Sequence, residues 1–130
     1  MMAVILTSGR LDRLYTGLSL LVSAAAEGAP ARGLVTFDAL APMLDERLEA
    51  RALRPEETPA LTATGRATFA RTLLELRATA AELPDCRLWA CAAAVELTGV
   101  PRERVEAQLD GVLSTPRFLR ELGDVRPVVV

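Results

Sequence analysis

The amino-acid sequence predicts an α/β fold, a three-layer α/β/α sandwich around a four- to five-stranded, mainly parallel sheet. Short apolar runs alternate along the chain with segments in which apolar residues recur every three or four positions. The first pattern is typical of buried strands and the second of amphipathic helices. A strand, a helix and a second strand fit within residues 3–37, which is the span of one βαβ unit. The two strands of such a unit are parallel.

Length and composition limit the classes of protein to which the chain can belong. The 130 residues predict one domain, 1–130, that buries its core without disulfides or metal ions. The formal charge is −2 and charges of both signs are interspersed, so no basic surface for nucleic acid is expected. A membrane span would need about 18 consecutive apolar residues, and no run is that long. The amino terminus has no basic segment and only a short apolar run, which favours a cytoplasmic protein.

Histidine and lysine are absent from the sequence, and only two cysteines are present. These absences exclude Ser-His-Asp and Cys-His pairs, histidine metal sites, a Walker-type phosphate lysine and a Schiff base. Two cysteines alone cannot form a structural zinc site, and no GxGxxG motif indicates a dinucleotide. We therefore expect no metal ion and no cofactor, and any chemistry would depend on a thiol or a carboxylate.

The first elements follow from apolar periodicity and from turn residues. Ala3–Leu6 predicts a buried strand, and Thr7-Ser8-Gly9 predicts the turn after it. Residues 11–25 carry apolar side chains at helical spacing and are followed by Gly28, a typical helix stop. Residues 33–37 predict the second strand, which completes the βαβ unit.

The next stretch predicts a short helix and then a long loop. Asp38 is a natural N-cap, and we expect a helix from Pro42 to about Ala50. Residues 54–66 contain two prolines, a glycine and three threonines without periodicity, which predicts a loop. A loop of this length is either a plain surface insertion or a lid over a site, and both interpretations stay open.

The alternation of strands and helices continues to the carboxyl terminus. The apolar stripe from Phe69 to Leu83 predicts a helix, and a buried strand ending in Cys91 follows it. The remaining expected elements are a small-residue helix stopped by Gly99, a short helix from Pro101, a short strand around 109–112, a helix capped by Ser114 and stopped by Gly123, and a last strand in 125–130.

Cys86 and Cys91 stand at the two ends of one predicted strand. Five extended steps place them about 16 Å apart. A disulfide needs Cα atoms within about 7 Å of each other. We therefore expect two free thiols, which suits a reducing compartment. Cys86, at the amino end of the strand, is interpreted as structural filler.

Cys91 is the candidate catalytic residue. It lies at the carboxyl end of the strand, immediately before a helix, where open α/β sheets bind their ligands. The positive end of that helix favours a thiolate. The alternative interpretation is a small buried hydrophobic residue, which is a common role for cysteine. The residues alone do not decide between these two roles.

A crevice for a small anion or a nucleotide fragment is a second candidate site. Thr7, Ser8 and Gly9 follow the first strand, and they would lie beside the Cys91 turn if both strands are parallel. Their hydroxyl and N–H groups could then bind an anion. Ordinary turn chemistry is the alternative.

Four further residues extend this candidate crevice. Asp38, after the second strand, and Ala92, after Cys91, are candidate ligand-binding residues. Asp12 and Arg13, one helical turn beyond the first strand, either line the same crevice or form solvated helix surface.

Residues 88–100, Leu-Trp-Ala-Cys-Ala-Ala-Ala-Val-Glu-Leu-Thr-Gly-Val, resemble the DsrE/DsrF-like family of small cytoplasmic sulfur-transfer and related proteins. That family combines a strand, a Cys-containing turn and a helix that ends in Gly-Val or Gly-Ile. Residues 3–28, 34–40 and 110–119 are similar to its other blocks. The resemblance covers nearly the whole chain, through short motifs.

The resemblance implies a five-stranded parallel sheet and a homo-oligomer, often a trimer or a hexamer. In sulfur-relay members of the family, the cysteine that matches Cys91 carries a persulfide from a donor protein to an acceptor protein. Cys86 matches no functional position. We therefore expect Cys91 to be a sulfur carrier. The alternative is a non-catalytic protein of the same fold that binds a small ligand or builds an oligomer.

Overall fold

Five strands form one sheet, and helices occupy the connections between them. The structure is a computed structural model and describes residues 1–130. The strands are β1 (Met2–Leu6), β2 (Ala31–Val35), β3 (Cys86–Cys91), β4 (Val112–Leu113) and β5 (Val128–Val129). The helices are α1 (Leu11–Ala26), α2 (Leu40–Leu44), α3 (Leu48–Ala52), α4 (Ala63–Glu82), α5 (Ala92–Thr98), α6 (Arg102–Gln108) and α7 (Thr115–Leu122).

The sheet has the strand order β4-β3-β2-β1-β5, and every neighbouring pair is parallel. Val4 of β1 lies opposite Gly33 of β2, which in turn lies opposite Leu88 of β3. The predicted α/β sandwich with a mainly parallel sheet of four or five strands is therefore confirmed. All five of its strands are parallel.

Helices lie on both faces of this sheet. Helix α1 packs closely on the face that carries Leu6, because a Cβ atom on Gly17 would overlap the Leu6 side chain. Ala90 of β3 is aligned with Leu6 through β2. Trp89 therefore points to the opposite face, since side chains alternate along a strand. Phe118 of α7 packs edge-on against Trp89, with ring centroids 6.2 Å apart, so α7 lies on that opposite face.

The direction of the connections explains this distribution of helices. The chain steps from β1 to β2, β3 and β4 in one direction across the sheet, and it returns past all of them to reach β5. Because βαβ crossovers are right-handed, the first three connections place their helices on the α1 face. The last connection runs the other way and places α7 on the second face. Helices α1 and α4 are accordingly in contact.

The core is a continuous cluster of 31 buried residues. Leu14, Leu18 and Leu21 of α1 are fully buried in it, at the helical spacing that predicted this element. Val4 and Leu34 contribute from the strands. None of the helices combines the length and the apolar character that crossing a bilayer requires.

The second strand occupies different residues from those predicted. It spans Ala31–Val35 rather than 33–37. Phe37 has a positive φ of 37° and begins a 3₁₀ turn over Phe37–Ala39, so the extended backbone ends before it. An apolar run ending in phenylalanine carries no sign of that change in backbone conformation.

The connection between β2 and β3 contains more helix than predicted. The helix expected over 42–50 is two helices, α2 and α3, because the backbone at Asp45 is extended and its carboxylate accepts the Arg47 N–H. The loop expected over 54–66 contains a 3₁₀ turn at Pro55–Glu57, and helix α4 already begins at Ala63. The Thr62 hydroxyl caps that helix by accepting the Gly65 N–H at 3.0 Å.

The carboxyl-terminal elements agree with the predictions, with shorter strands. Helix α6 follows Pro101, and α7 begins after Ser114, whose hydroxyl accepts the Arg117 N–H. Gly123 ends α7. The strand expected around 109–112 lies later in the chain, at Val112–Leu113 (β4), and the one expected within 125–130 is β5; each is only two residues long.

Arg77 is a buried arginine that joins α4 to the end of α2. It is 7% exposed, and its Nη1 donates to the carbonyl oxygens of Pro42, Met43 and Asp45 at 3.3, 3.2 and 2.7 Å. Burial lowers the pKa of Arg77, and the charge of Asp45 opposes that shift. The guanidinium thus adds a charged donor to carbonyl groups at the end of α2, of which Pro42 also accepts the Asp45 N–H at 3.3 Å.

We predict that Arg77→Met lowers the free energy of unfolding by about 2–3 kcal/mol, because three buried carbonyl groups lose a charged donor. Urea denaturation followed by circular dichroism measures the change. The control is Arg71→Met, an exposed arginine on the same helix, which should stay within about 0.5 kcal/mol of the parent. Equal effects of the two substitutions would contradict this role of Arg77.

Candidate functional site

Cys91 is the last residue of β3 and the N-cap of α5. Its backbone is extended, with φ −63° and ψ 126°, as is usual for the residue before a first helical turn. The side chain is only 4% exposed, and Sγ lies 4.0 Å from Oγ1 of Thr115. The thiol therefore lies just beneath the surface, within weak hydrogen-bonding distance of a hydroxyl on a different connection.

The ends of β3 and β4 form the point at which the connections of the sheet separate. The chain leaves β3 for the α1 face and leaves β4 for the opposite face, so the amino-terminal ends of α5 and α7 diverge from this edge. Open α/β sheets bind their ligands at such switch points. Cys91 begins α5 and Thr115 begins α7, so their contact spans this switch point.

Cys86 lies at the other end of β3, so the two thiols are at opposite ends of one strand. Both are free cysteines, as the spacing predicted. Cys86 is 3% exposed, and burial raises its pKa to about 11. The nearby charge of Asp110 also raises this pKa, and Arg32 opposes the shift. A thiol in this environment stays protonated at neutral pH, which suits the predicted structural role.

Thr7, Ser8 and Gly9 follow β1, and they are separated from Cys91 by the intervening strand β2. Two strand spacings amount to about 10 Å. The Thr7 hydroxyl donates to the Val130 carbonyl at 3.1 Å, and the Ser8 hydroxyl accepts the Arg10 N–H at 3.1 Å. The hydroxyl groups of Thr7 and Ser8 are therefore used in local hydrogen bonds.

The other two candidate ligand-binding residues, Asp38 and Ala92, lie apart from each other, one beside Gly9 and one beside Cys91. Asp38 is exposed and stands next to Gly9, since a Cβ atom on that glycine would come 3.0 Å from the Asp38 carbonyl oxygen. Ala92 is the first residue of α5 and is half-buried beside Cys91. The five candidates thus form two groups, one at the ends of β1 and β2 and one at the end of β3.

Phe37 occupies the carboxyl end of the central strand β2 and was not among the predicted site residues. Its φ of 37° is unusual for a residue other than glycine, and its side chain is 46% exposed. A left-handed backbone costs a phenylalanine roughly 1–2 kcal/mol. The 3₁₀ turn that it begins contacts α5, the helix that follows Cys91. An exposed aromatic ring therefore lies at the same edge of the sheet as the thiol.

A cavity of about 450 Å³ opens at the carboxyl end of β1. It is lined by Gly9, Arg10, Asp12, the segment 56–61 and Phe69. Cys91 does not line it. Of the residues predicted for the crevice, Gly9 and Asp12 belong to the lining, and most of the rest comes from the predicted long loop.

Neither the contact between Thr115 and Cys91 nor the cavity could be predicted from the sequence. Ser114, Thr115 and Pro116 were recognisable as a helix start, but the contact of Thr115 with Cys91 depends on β4 pairing with β3. Phe69 was predicted as a core residue of α4, and it does stack on Tyr15, with ring centroids 5.1 Å apart. Nothing in its spacing indicates that it also lines a cavity.

No protein-family model matches the sequence, and no curated protein matches it either. The similarity to the DsrE/DsrF-like family therefore stays a prediction. No group of three or more Cys, Asp or Glu side chains is placed to hold a metal ion. The site is defined by the fold, a parallel α/β sheet, and by a single thiol at its switch point.

We predict that Cys86 in the Cys91→Ala variant reacts with iodoacetamide only as the pH approaches 11, since the thiolate is the reacting species. Intact-mass measurement of alkylation rate against pH gives the midpoint. The same variant unfolded in urea is the control, and its thiol should titrate near 8.5. A folded-state midpoint near the unfolded one would contradict the buried, thiol-stabilising environment.

Proposed function

We propose that this protein is a DsrE/DsrF-like sulfur carrier in which Cys91 receives sulfur from one thiol protein and passes it to another. The observation that supports this most directly is the position of Cys91 at the switch point, between the starts of α5 and α7. Oriented backbone N–H groups at helix starts stabilise negative charge on sulfur. Cys86 does not compete for the role, because its pKa is raised to about 11.

The proposed chemistry is two thiol exchanges in sequence. The Cys91 thiolate attacks the outer sulfur of a donor persulfide, R–S–SH. A new S–S bond forms on Cys91, the donor S–S bond breaks, and the donor leaves as its thiolate. An acceptor thiolate then attacks the outer sulfur of the Cys91 persulfide and regenerates the Cys91 thiolate. Each step is balanced, and no external oxidant or reductant takes part.

The surroundings of Cys91 suit a side chain that becomes longer when it carries a second sulfur atom. A persulfide places the reacting sulfur about 2 Å beyond Sγ, the length of one S–S bond. This extension brings the reacting atom closer to the surface than the 4% exposed thiol. The residues after it, Ala92, Ala93 and Ala94, have the smallest side chains that still favour a helix, so the first turn of α5 leaves little bulk beside the sulfur.

Hydrogen bonding from Thr115 supports the attack by the Cys91 sulfur on the donor persulfide. Thr115 is an exposed residue, and its hydroxyl, 4.0 Å from Sγ, can rotate either to donate to a sulfur anion or to accept from a thiol. The chain has no histidine or lysine to assist. The activation that we propose therefore comes from backbone N–H groups and from this hydroxyl.

We propose a cytoplasmic location and protein partners that donate and accept sulfur. The two unpaired cysteines support a reducing compartment. The exposed Phe37 ring near the start of α5 supports a protein partner, because aromatic side chains are enriched at such contacts.

We predict that a small-molecule persulfide donor adds the mass of one sulfur atom to Cys91 in the parent protein and in Cys86→Ala. Peptide mapping after blocking free thiols locates the modification. Cys91→Ala should take up no sulfur, although it retains Cys86. Thr115→Val, which keeps the side-chain shape, should load several-fold more slowly, because it lacks the hydroxyl. Equal labelling of the two cysteines would contradict the assignment.

We also propose that the protein is a homo-oligomer, a trimer or a hexamer. Large apolar side chains are exposed on two helices and on the edge strand: Leu97 (74%), Leu119 (48%), Val128 (45%) and Val129 (63%). Strand β5 pairs with β1 on one side only, so its other edge is open. Open edges and exposed apolar groups favour association.

Light scattering after size-exclusion chromatography should give three or six times the chain mass of 13.9 kDa. Leu97→Glu introduces a charge at the most exposed large apolar residue and should shift the mass towards the monomer. The neighbouring exposed substitution Glu96→Gln is the control and should leave the mass unchanged. A monomeric parent protein would contradict this part of the proposal.

A further inference from the structure

The cavity at the end of β1 has no part in the proposed sulfur chemistry, since Cys91 lies two strands away and does not line it. Its volume of about 450 Å³ lies within the range of small-molecule sites. It combines apolar lining from Leu61 and Phe69 with charged side chains. A lining of this composition matches a small ligand with both a flat apolar part and a polar part.

Arginine side chains outside the cavity hold its walls in place. Arg66 donates to the carbonyls of Thr58 and Leu61 and to the Thr58 hydroxyl, which fixes the turn that forms one wall. Arg51 bonds to Glu57 at 2.9 Å and lies 3.4 Å from the Gly9 carbonyl, which joins that wall to the end of β1. A preformed site loses less entropy when it binds a ligand.

An aromatic ring forms part of the cavity surface. Phe69 lines the cavity, and its ring is stacked on Tyr15 at 5.1 Å with an interplanar angle of 17°. The stacking restrains the ring, so it presents a fixed apolar surface. An aromatic surface of this kind also attracts cations through its ring electrons.

The charged groups of the lining set the sign of the ligand. Asp12, Glu56 and Glu57 are acidic, and Arg10 is the only base in the lining. Arg10 is paired with Asp12 at 2.7 Å, and Glu57 is paired with Arg51. Glu56 has no ion-pair partner, so three carboxylates against Arg10 and Arg51 leave one negative charge, while the Arg66 guanidinium behind the wall is already hydrogen-bonded to Thr58 and Leu61. The lining therefore offers no unpaired base to the small anion that the sequence suggested for this edge of the sheet, whereas the Glu56 carboxylate is available to a cation.

We propose that this cavity binds a small organic cation with a planar apolar body, such as an aromatic amine or amidine. The cation lies near Glu56, and the planar body lies against Phe69 and Leu61. The site is independent of Cys91, so its ligand is neither the donor nor the acceptor of sulfur. This assigns a second function to the carboxyl edge of the sheet.

The test compares three probes that share one ring: benzamidinium, neutral benzamide and anionic benzoate. Amide NMR shifts of the full chain give both the location and the dissociation constant. We expect benzamidinium to shift the signals of Gly9 and of residues 56–61 and to bind on the order of tenfold more tightly than benzamide. Benzoate should leave these signals in place.

Variants separate the charge contribution from the ring contribution. Glu56→Gln should weaken benzamidinium binding about two- to fivefold and leave benzamide unchanged. Phe69→Leu should weaken both probes. Glu121→Gln, on the exposed face of α7, is the matched control and should change neither. Cys91→Ala should bind as the parent does, so the result is independent of the sulfur-carrier proposal.

Three outcomes would overturn the inference. The first is benzoate binding as tightly as benzamidinium, which would show that the acidic groups do not select the ligand. The second is a benzamidinium shift pattern that lies away from residues 56–61. The third is no shift with benzamidinium at millimolar concentration in the parent protein.

Discussion

The contact between Cys91 and Thr115 depends on the one reversal of direction in the sheet. Three connections step the same way from β1 to β4, and the fourth returns to β5, so right-handed crossovers must place α7 on the opposite face. Because of that reversal, α5 and α7 start at the ends of two neighbouring strands and run to opposite faces of the sheet. The Thr115 hydroxyl at the start of α7 therefore lies 4.0 Å from the Cys91 thiol at the start of α5.

The two cysteines occupy opposite ends of one parallel strand and have different neighbours. Cys86 lies at the amino end of β3, where burial and the Asp110 charge keep it a thiol. Cys91 lies at the carboxyl end, where it is the N-cap residue of α5 and its Sγ lies near the Thr115 hydroxyl. The two residues are similarly buried, at 3% and 4% exposed, and they differ in the groups beside them: a carboxylate near Cys86 and a hydroxyl near Cys91.

The sequence predicts the fold well because its main signals are local. The leucines of α1, the Ser114 cap and the Gly123 stop each act within a few residues of themselves, and all appear where expected. The strand ending in Cys91 was also predicted. The positive φ of Phe37 and the contact of Thr115 with Cys91 were not predicted, because both depend on tertiary packing. The cavity is also non-local, since it joins α1, the 56–61 segment and Phe69 of α4.

Loading of sulfur onto Cys91 does not by itself establish that Cys91 passes the sulfur on to an acceptor. The direct measurement is a single turnover with Cys91 carrying a radioactive outer sulfur, followed by addition of an acceptor thiol. If Cys91 is a sulfur carrier, we expect the label to move to the acceptor and Cys91 to return as a free thiol, ready to load again. Label that stays on the protein, or that leaves as sulfide without reaching the acceptor, would contradict it. The same chain with Cys86→Ala should transfer at an unchanged rate.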